Sequence, residues 1–484
     1  MFAKFGEWLP DLPDILNPGL VNLENAIPQA EHYVPAYNIS NVSTNALNGF
    51  CLGAAGFLAS SGAGYNFFGT ASKLYKLNTS NAFEDLSKVG GYAVASGDKW
   101  HFAQVGDIVV AVNGADSAQA FTMDVSSVFA NLGGSPPVAK YVASCKGFLF
   151  LGNLAASANQ VQCSSYANVA SYTGDMATLF TLDSAYGPIK QLLGGEYVTV
   201  FTDLARYRMT FIGSPDVFRI DRLEADRGLY ASNCAVQFSD QIFYLAPDGF
   251  YLASGNQSVP IGKNKINNYF FQTLNLTYAY NACAVHDIQN NLIKVFYPSQ
   301  SSNGTTLDRM LAFDYITGRW GNAVGLTTTY VFPGRSSSYT IDGLDTTFST
   351  IDSIPYSFDS AFWNSKNAVV VALSADNKSA TFSGDALTTI LETGEVPIAK
   401  DAKKTILNWI KPEVGGSALA TVAVGSRNNI SDDVTYTGDT MLNDSGLCPF
   451  RVEARYLRAK VRIAGGYTKA VGVEIITPES GASR

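Results

Sequence analysis

Gln241-Ile-Phe-Tyr-Leu-Ala-Pro-Asp-Gly-Phe-Tyr-Leu-Ala-Ser254 is two apolar, aromatic-rich runs around a Pro-Asp-Gly turn. Gly249 accepts the positive φ that a tight reversal demands, so the stretch reads as an antiparallel hairpin. Ala235-Val-Gln-Phe-Ser239 precedes it through Asp240 and supplies a third short strand, which makes a meander. The surrounding segment from Tyr207 to Phe271 has the texture of one propeller blade.

Turn-plus-aliphatic signals of the same kind recur at Ala55-Gly56-Phe57, Val105-Gly106-Asp107, Lys146-Gly147-Phe148, Gly194-Gly195-Glu196, Ser239-Asp240-Gln241 and Gln289-Asn290-Asn291. Their spacing of about 40 to 50 residues is the length of a four-stranded blade. A second element repeats in phase: Leu74 to Leu86 resembles Ala120 to Leu132, and Phe313-Asp-Tyr-Ile-Thr-Gly-Arg-Trp320 places a turn and then Trp at a blade end. The expected fold is all-β: a β-propeller of six to eight blades, seven fitting best, with an extended N-terminal arm and a C-terminal β-sandwich-like domain. The alternative is a β-sandwich with coincidental spacing.

Composition narrows the function. The chain has 484 residues, only 15% of them charged, a formal net charge of −8, and 43 Gly, 25 Tyr and 29 Phe. Gripping nucleic acid requires clustered Lys and Arg, so an acidic chain of low charge is not built for that task. Six scattered cysteines in apolar runs read as buried reduced thiols. Neither a leader nor an apolar run long enough for a membrane anchor is visible. The Asn-x-Ser/Thr sites at Asn38, Asn78, Asn275 and Asn303 read as turn chemistry.

Three segments follow in order. Residues 1–45 are broken by Pro10, Pro13, Pro18, Pro28 and Pro35 but carry Trp8, Leu12, Ile15, Tyr33 and Tyr37, too apolar for a solvated linker. This arm is expected to lie across its own propeller or a neighbouring chain. Residues 46–375 hold the repeats, and the ring is expected to close with strands from both ends because an open ring leaves an edge unpaired. Residues 376–484 carry more charge, including Lys400, Lys403 and Lys404. In Arg451 to Ile463, Arg451, Glu453 and Arg455 share one face of a strand, whereas Arg458, Lys460 and Arg462 share the other. Side chains alternate strictly, so the flip requires a bulge near Tyr456-Leu457 or one strand shared by two sheets. The basic row is a candidate contact for DNA or an acidic partner.

The chemistry is sparse. His32, His101 and His286 have no metal-ligand companions at useful spacing, and the common nucleophile, zinc and phosphate-loop motifs are absent. Ser61 to Gly69 reads as a hairpin turn. Asp240 with Asp248, or Asp221 with Asp226, are the carboxylate pairs a glycosidase would need. No catalytic, metal or cofactor residue is expected.

The chain resembles the propeller-type hub, nozzle or packaged-DNA-stabilisation proteins of short-tailed bacteriophage tails. The resemblance is carried by Trp8-Leu-Pro-Asp-Leu12 with Gly19 to Tyr37, Trp100 to Asn113, Lys146 to Asn153, Tyr207 to Gly213, Asp240 to Gly255, Pro260-Ile-Gly262, Gly425-Ser-Arg427 and Arg455-Tyr-Leu-Arg458. The chain departs from the pattern at Ser336 to Ser338 and Cys163-Ser-Ser165. The resemblance implies a non-enzymatic virion subunit, made in the bacterial cytoplasm, in a ring of six copies. A portal-adaptor protein would lie above it and a fibre, spike or needle below, with duplex DNA passing without sequence recognition and retained until ejection. Candidate contact residues are Trp8, Leu12, Ile15, Tyr33, Tyr37, Arg451, Arg455, Arg458, Lys460 and Arg462. The rival is a receptor- or carbohydrate-binding propeller stacking sugars on Trp100, Trp320 or Trp363.

Overall fold

The computed structural model describes residues 1–174, 176–335, 350, 368–397, 404–416 and 419–477. Ser336 to Ser338, Trp363, Lys400 and Lys403 lie outside the described residues.

Five consecutive antiparallel sheets, spanning residues 53–85, 101–131, 139–181, 189–225 and 235–260, each contain four strands in chain order. The central hairpin pairs Gln241–Ala246 with Gly249–Ser254, and Gly249 sits at φ +132°. A sixth blade runs from Cys283–Asp287 through Leu292–Tyr297 and Leu307–Asp314 into the long strand Arg319–Arg335. That strand turns at Gly325, whose φ is +78°, and its later half pairs with Ala368–Ser374 to begin a seventh blade. Ser379–Thr381 follows, and the outermost strand is Ser40–Asn41 from the N-terminal segment. The first strands of these seven blades contact one another in a closed circuit, which is a β-propeller.

Five of the six recurrent turn signals fall at the first hairpin of a blade. The exception, Ala55-Gly56-Phe57, lies inside the strand Gly53–Leu58, and the turn of that blade comes at 59–63. Gly56 answers a different need: a Cβ there would lie 2.7 Å from the Gly334 backbone of the seventh blade. Small residues at that seam let the first and last blades meet. Three sequon asparagines prove to be turn formers, since Asn78, Asn275 and Asn303 each accept the N–H two residues ahead.

The C-terminal region forms two facing sheets, and residues 1–45 are woven into both. In one sheet Ala26–Gln29 and His32–Pro35 join Lys469–Ile476, Thr405–Gly415 and Cys448–Ala454, with Phe2–Lys4 alongside. In the other, Leu20–Glu24 pairs with Thr389–Thr393, followed by Tyr456–Ala464 and Leu419–Arg427. The N-terminal arm therefore lies on its own chain, mostly in the sandwich rather than over the propeller surface. The charge flip at 451–462 is a strand shared by two sheets: Cys448–Ala454 belongs to one, Tyr456–Ala464 to the other, and the chain crosses at Arg455.

Propeller and sandwich share one apolar cluster, in which Phe5, Trp8, Leu23 and Tyr33 pack with Phe250, Phe270, Trp320, Leu391 and Val461. The Trp8 ring meets Tyr269 edge-on at 4.8 Å, and the Asp11 carboxylate accepts from the Asn268 and Tyr269 N–H groups at 2.8 and 2.9 Å. Arg319 lies over the Tyr33 ring and donates to the Gly6 and Ala30 carbonyls. Burying this much aromatic surface, at about 25 cal/mol per Å², favours keeping the two parts packed together.

Candidate functional site: the closed end of the propeller channel

The first strands of the blades surround a cavity of about 500 Å³. Its walls are mixed: Ala55, Val142, Leu192, Val236 and Val285 line it together with His101, Gln191, Asn233, Gln237, His286 and Arg335. At the end where the first strands begin, Lys99 lies outside the cavity lining and reaches across between two blades. It leaves the connection into the second blade and reaches the connection into the sixth, where its ammonium donates to the Tyr280 carbonyl at 3.0 Å. The same ammonium stands 5.9 Å from the centroid of the Tyr330 ring. Asp98, its neighbour in the chain, is engaged elsewhere, 2.6 Å from Lys140.

Desolvation shifts several titratable groups near this end. Burial pulls the Lys99 ammonium below its ordinary range, and it pushes His101 down to about 3, helped by the charge of Lys99. The His101 ring meets Tyr141 at 4.7 Å, and the Tyr141 hydroxyl lies 2.8 Å from Ser232 Oγ. Burial raises the nearby thiols of Cys51 and Cys283 to about 12 and 11. Protonated thiols are poor nucleophiles and poor metal ligands. All six cysteines are buried and unbridged. Among the described residues no cluster of three His, Cys, Asp or Glu is placed to hold a metal ion.

The residues singled out in the sequence are scattered by the fold. Trp8 and Tyr33 are fully buried inside this chain, so neither is a surface contact. Leu12 and Ile15 are half-buried, and Tyr37 is exposed. Arg451 and Arg462 are exposed, but Arg458 is partly buried between the Glu392 and Asp14 carboxylates at 2.9 and 3.0 Å. Lys460 stands over the Tyr436 ring, Arg462 pairs with Asp439, and Arg455 is half-buried at the crossing. The basic row is thus largely answered by the chain's own acids and aromatic rings.

Trp100 and Trp320 cannot stack on sugars, because both are buried with their indole N–H groups donating to the Thr70 and Ile261 carbonyls. Asp240 and Asp248 stand at opposite ends of the strand Gln241–Ala246, separated by about 20 Å at 3.3 Å per residue, well beyond the reach of a carboxylate pair. Asp221 and Asp226 are likewise separated along Val217–Ala225, and Asp221 pairs with Arg219.

Lys99 escaped the sequence reading. It stands two residues before the first strand His101–Val105. A single Lys next to Gly97-Asp98 looks like an ordinary turn residue until the ring is assembled around it.

No family model matches the chain, and no curated protein is similar to it. Solved structures with a similar trace include YCF48 bound to a D1 peptide, with 9% identity, a TM-score of 0.39, and 73% of this chain and 98% of that one covered. The Neurospora crassa Pan2 WD40 domain gives 8%, 0.40, 72% and 96%. An inactive virginiamycin B lyase from Staphylococcus aureus with quinupristin gives 7%, 0.42, 71% and 98%.

Proposed function

We propose that this chain is a structural, non-enzymatic subunit of a short-tailed phage tail, of the hub or nozzle type, assembled as a ring of six around the path of the genome. The observation that carries the reading is the interlock: the N-terminal segment is built into both sandwich sheets and also supplies the last strand of the propeller. A subunit tied this way transmits force between its parts without hinging, which a conduit wall requires. The scattered carboxylates, protonated thiols and low charge support the same reading.

The conduit in this reading is the hole around which copies gather. Lys99 links the connections into the second and sixth blades of the propeller itself. Contacts with the neighbouring copies, the portal adaptor above and the fibre, spike or needle below would use exposed apolar groups, such as Leu419 and Met441 on neighbouring strands of the sandwich. Mass spectrometry and immunogold labelling of purified particles test the assignment: the chain should be found in the tail in several copies, and its absence from particles overturns the reading. A second reading, a binding propeller, is favoured by the cavity of about 500 Å³ between the first strands.

A further inference from the structure

We infer that the seam between the N-terminal hairpin and the sixth blade is a binding site for a neutral phenol ring, with Lys294 as the hydrogen-bond donor to its oxygen. The hairpin of Ala26–Gln29 and His32–Pro35 stands against the sixth blade and leaves a cavity of about 210 Å³. Its apolar wall comes from both sides: Pro28 and Pro35 from the hairpin, Leu292 and Met310 from the blade, and Leu326 from the strand that links the sixth and seventh blades. All five are buried. Gln29, Tyr37 and Asn290 also line the cavity and are exposed, so it opens to solvent between them. Size limits the occupant. An apolar cavity of about 150 Å³ holds benzene, so this one takes a single six-membered ring with a small substituent.

The polar part of the wall selects the substituent. Lys294 lines the cavity although its side chain is only 9% exposed. Its ammonium stands 2.7 Å from Asp287 and 5.6 Å from the centre of the Phe382 ring, which lines the cavity too. An ammonium has three N–H donors. Among the described residues Lys294 makes no hydrogen bond besides the one to Asp287, so donors remain for a ligand. The Asn290 amide donates to the same Asp287 oxygen at 2.8 Å, which sets the two polar groups of the wall side by side. Because Asp287 already balances the ammonium, a carboxylate would bring an uncompensated negative charge into a buried place, which is costly. A hydroxyl carries no such penalty: its oxygen accepts from Lys294, and its O–H donates to the side-chain carbonyl of Asn290. The chemistry recognised is shared by a free phenolic compound and by a tyrosine side chain presented by another polypeptide.

Methyl NMR of the intact protein labelled at methionine tests the site, because of the six methionines it is Met310 that lines the cavity. Titration with p-cresol should move the Met310 signal saturably and leave the others in place. The inference expects p-cresol to bind at least about fivefold tighter than toluene, the yield of one hydrogen bond. It also expects p-methylbenzoate to bind more weakly than p-cresol. N-acetyltyrosinamide forms a second arm: its binding assigns the site to a tyrosine side chain, and binding of p-cresol alone assigns it to a free phenol. In Lys294→Met the preference for p-cresol over toluene should vanish. No Met310 response to p-cresol, equal binding of p-cresol and toluene, tighter binding of p-methylbenzoate, or an undiminished preference in a folded Lys294→Met protein overturns the inference. If Lys294→Met does not fold, the three-ligand comparison on the unaltered chain still decides. The tail-ring reading rests on the interlocked termini and is tested separately.

Discussion

Ser40 is the cross-strand partner of Thr381, so the first part of the chain completes the sheet made by the last blade. The same segment buries Phe5, Trp8, Leu20, Leu23 and Tyr33 in the core shared with the sandwich. Deleting residues 1–45 should therefore abolish folding rather than release a trimmed propeller. Circular dichroism and size-exclusion chromatography check this: the truncated chain should be insoluble or lack a cooperative melt. A soluble truncation with the parent melting temperature would contradict the interlock.

Arg458 is 10% exposed and bridges Glu392, 5% exposed, and Asp14. Replacing it by Ala leaves a carboxylate buried without its cation, which costs about 3–5 kcal/mol. Arg462 faces Asp439 in an exposed pair, where the loss is about 0–1 kcal/mol. Urea denaturation of Arg458→Ala and Arg462→Ala should separate the two by more than 2 kcal/mol, roughly the gap between those ranges. Equal losses would show that the basic strand acts as one surface.

His101 gives the fold a pH dependence. Its folded pKa of about 3 lies below the unfolded value near 6.5, so the unfolded state binds the extra proton between those limits. Stability on this account is full above pH about 6.5 and falls with acidification by at most about 1.4 kcal/mol per unit. His101→Phe should flatten the melting temperature between pH 6.5 and 5. An unchanged slope would mean that His101 is solvated through the channel.

Asp287 acts at lower pH. Burial works to raise its carboxyl, but the Lys294 ammonium 2.7 Å away and the Asn290 amide outweigh it, and the pKa lies below the ordinary range. A depressed acid stabilises the fold above its unfolded pKa, and that share disappears as pH falls through the folded value. Asp287→Asn should reduce stability at neutral pH and narrow its difference from the parent below pH about 4. A difference that persists at low pH would point to lost hydrogen bonds rather than lost charge.

Gly69 marks a close approach. A Cβ there would lie 2.2 Å from the Trp100 ring, whose indole is fixed by the Thr70 carbonyl. Gly69→Ala should lower stability by about 1–3 kcal/mol through overpacking. A neutral result would mean that the indole has room to shift.

Much of the propeller is legible in the sequence because its signal is local. Turns such as Lys146-Gly147 and Pro247-Asp248-Gly249 lie between strands whose partners are adjacent in the chain. The closing strand is two residues long, Ser40–Asn41, with a partner at the far end of the chain, and carries no pattern of its own. The arm was recognisable as apolar, but Trp8 and Tyr33 gave no sign of which surface would cover them. At 451–462 the broken alternation left either a bulge near Tyr456-Leu457 or a strand divided between two sheets, and only the pairing of the two halves with different sheets decides for the second. The Lys99–Tyr280 contact became visible only when the second and sixth blades were brought together in the ring.

Electron microscopy of tail particles tests ring assembly around a central hole most directly. Several copies should be arranged about the particle axis, with each propeller axis off the DNA path and no duplex density inside a propeller. Particles in which this chain occurs as single, unassociated copies, or in which DNA threads a propeller channel past Lys99, would contradict it.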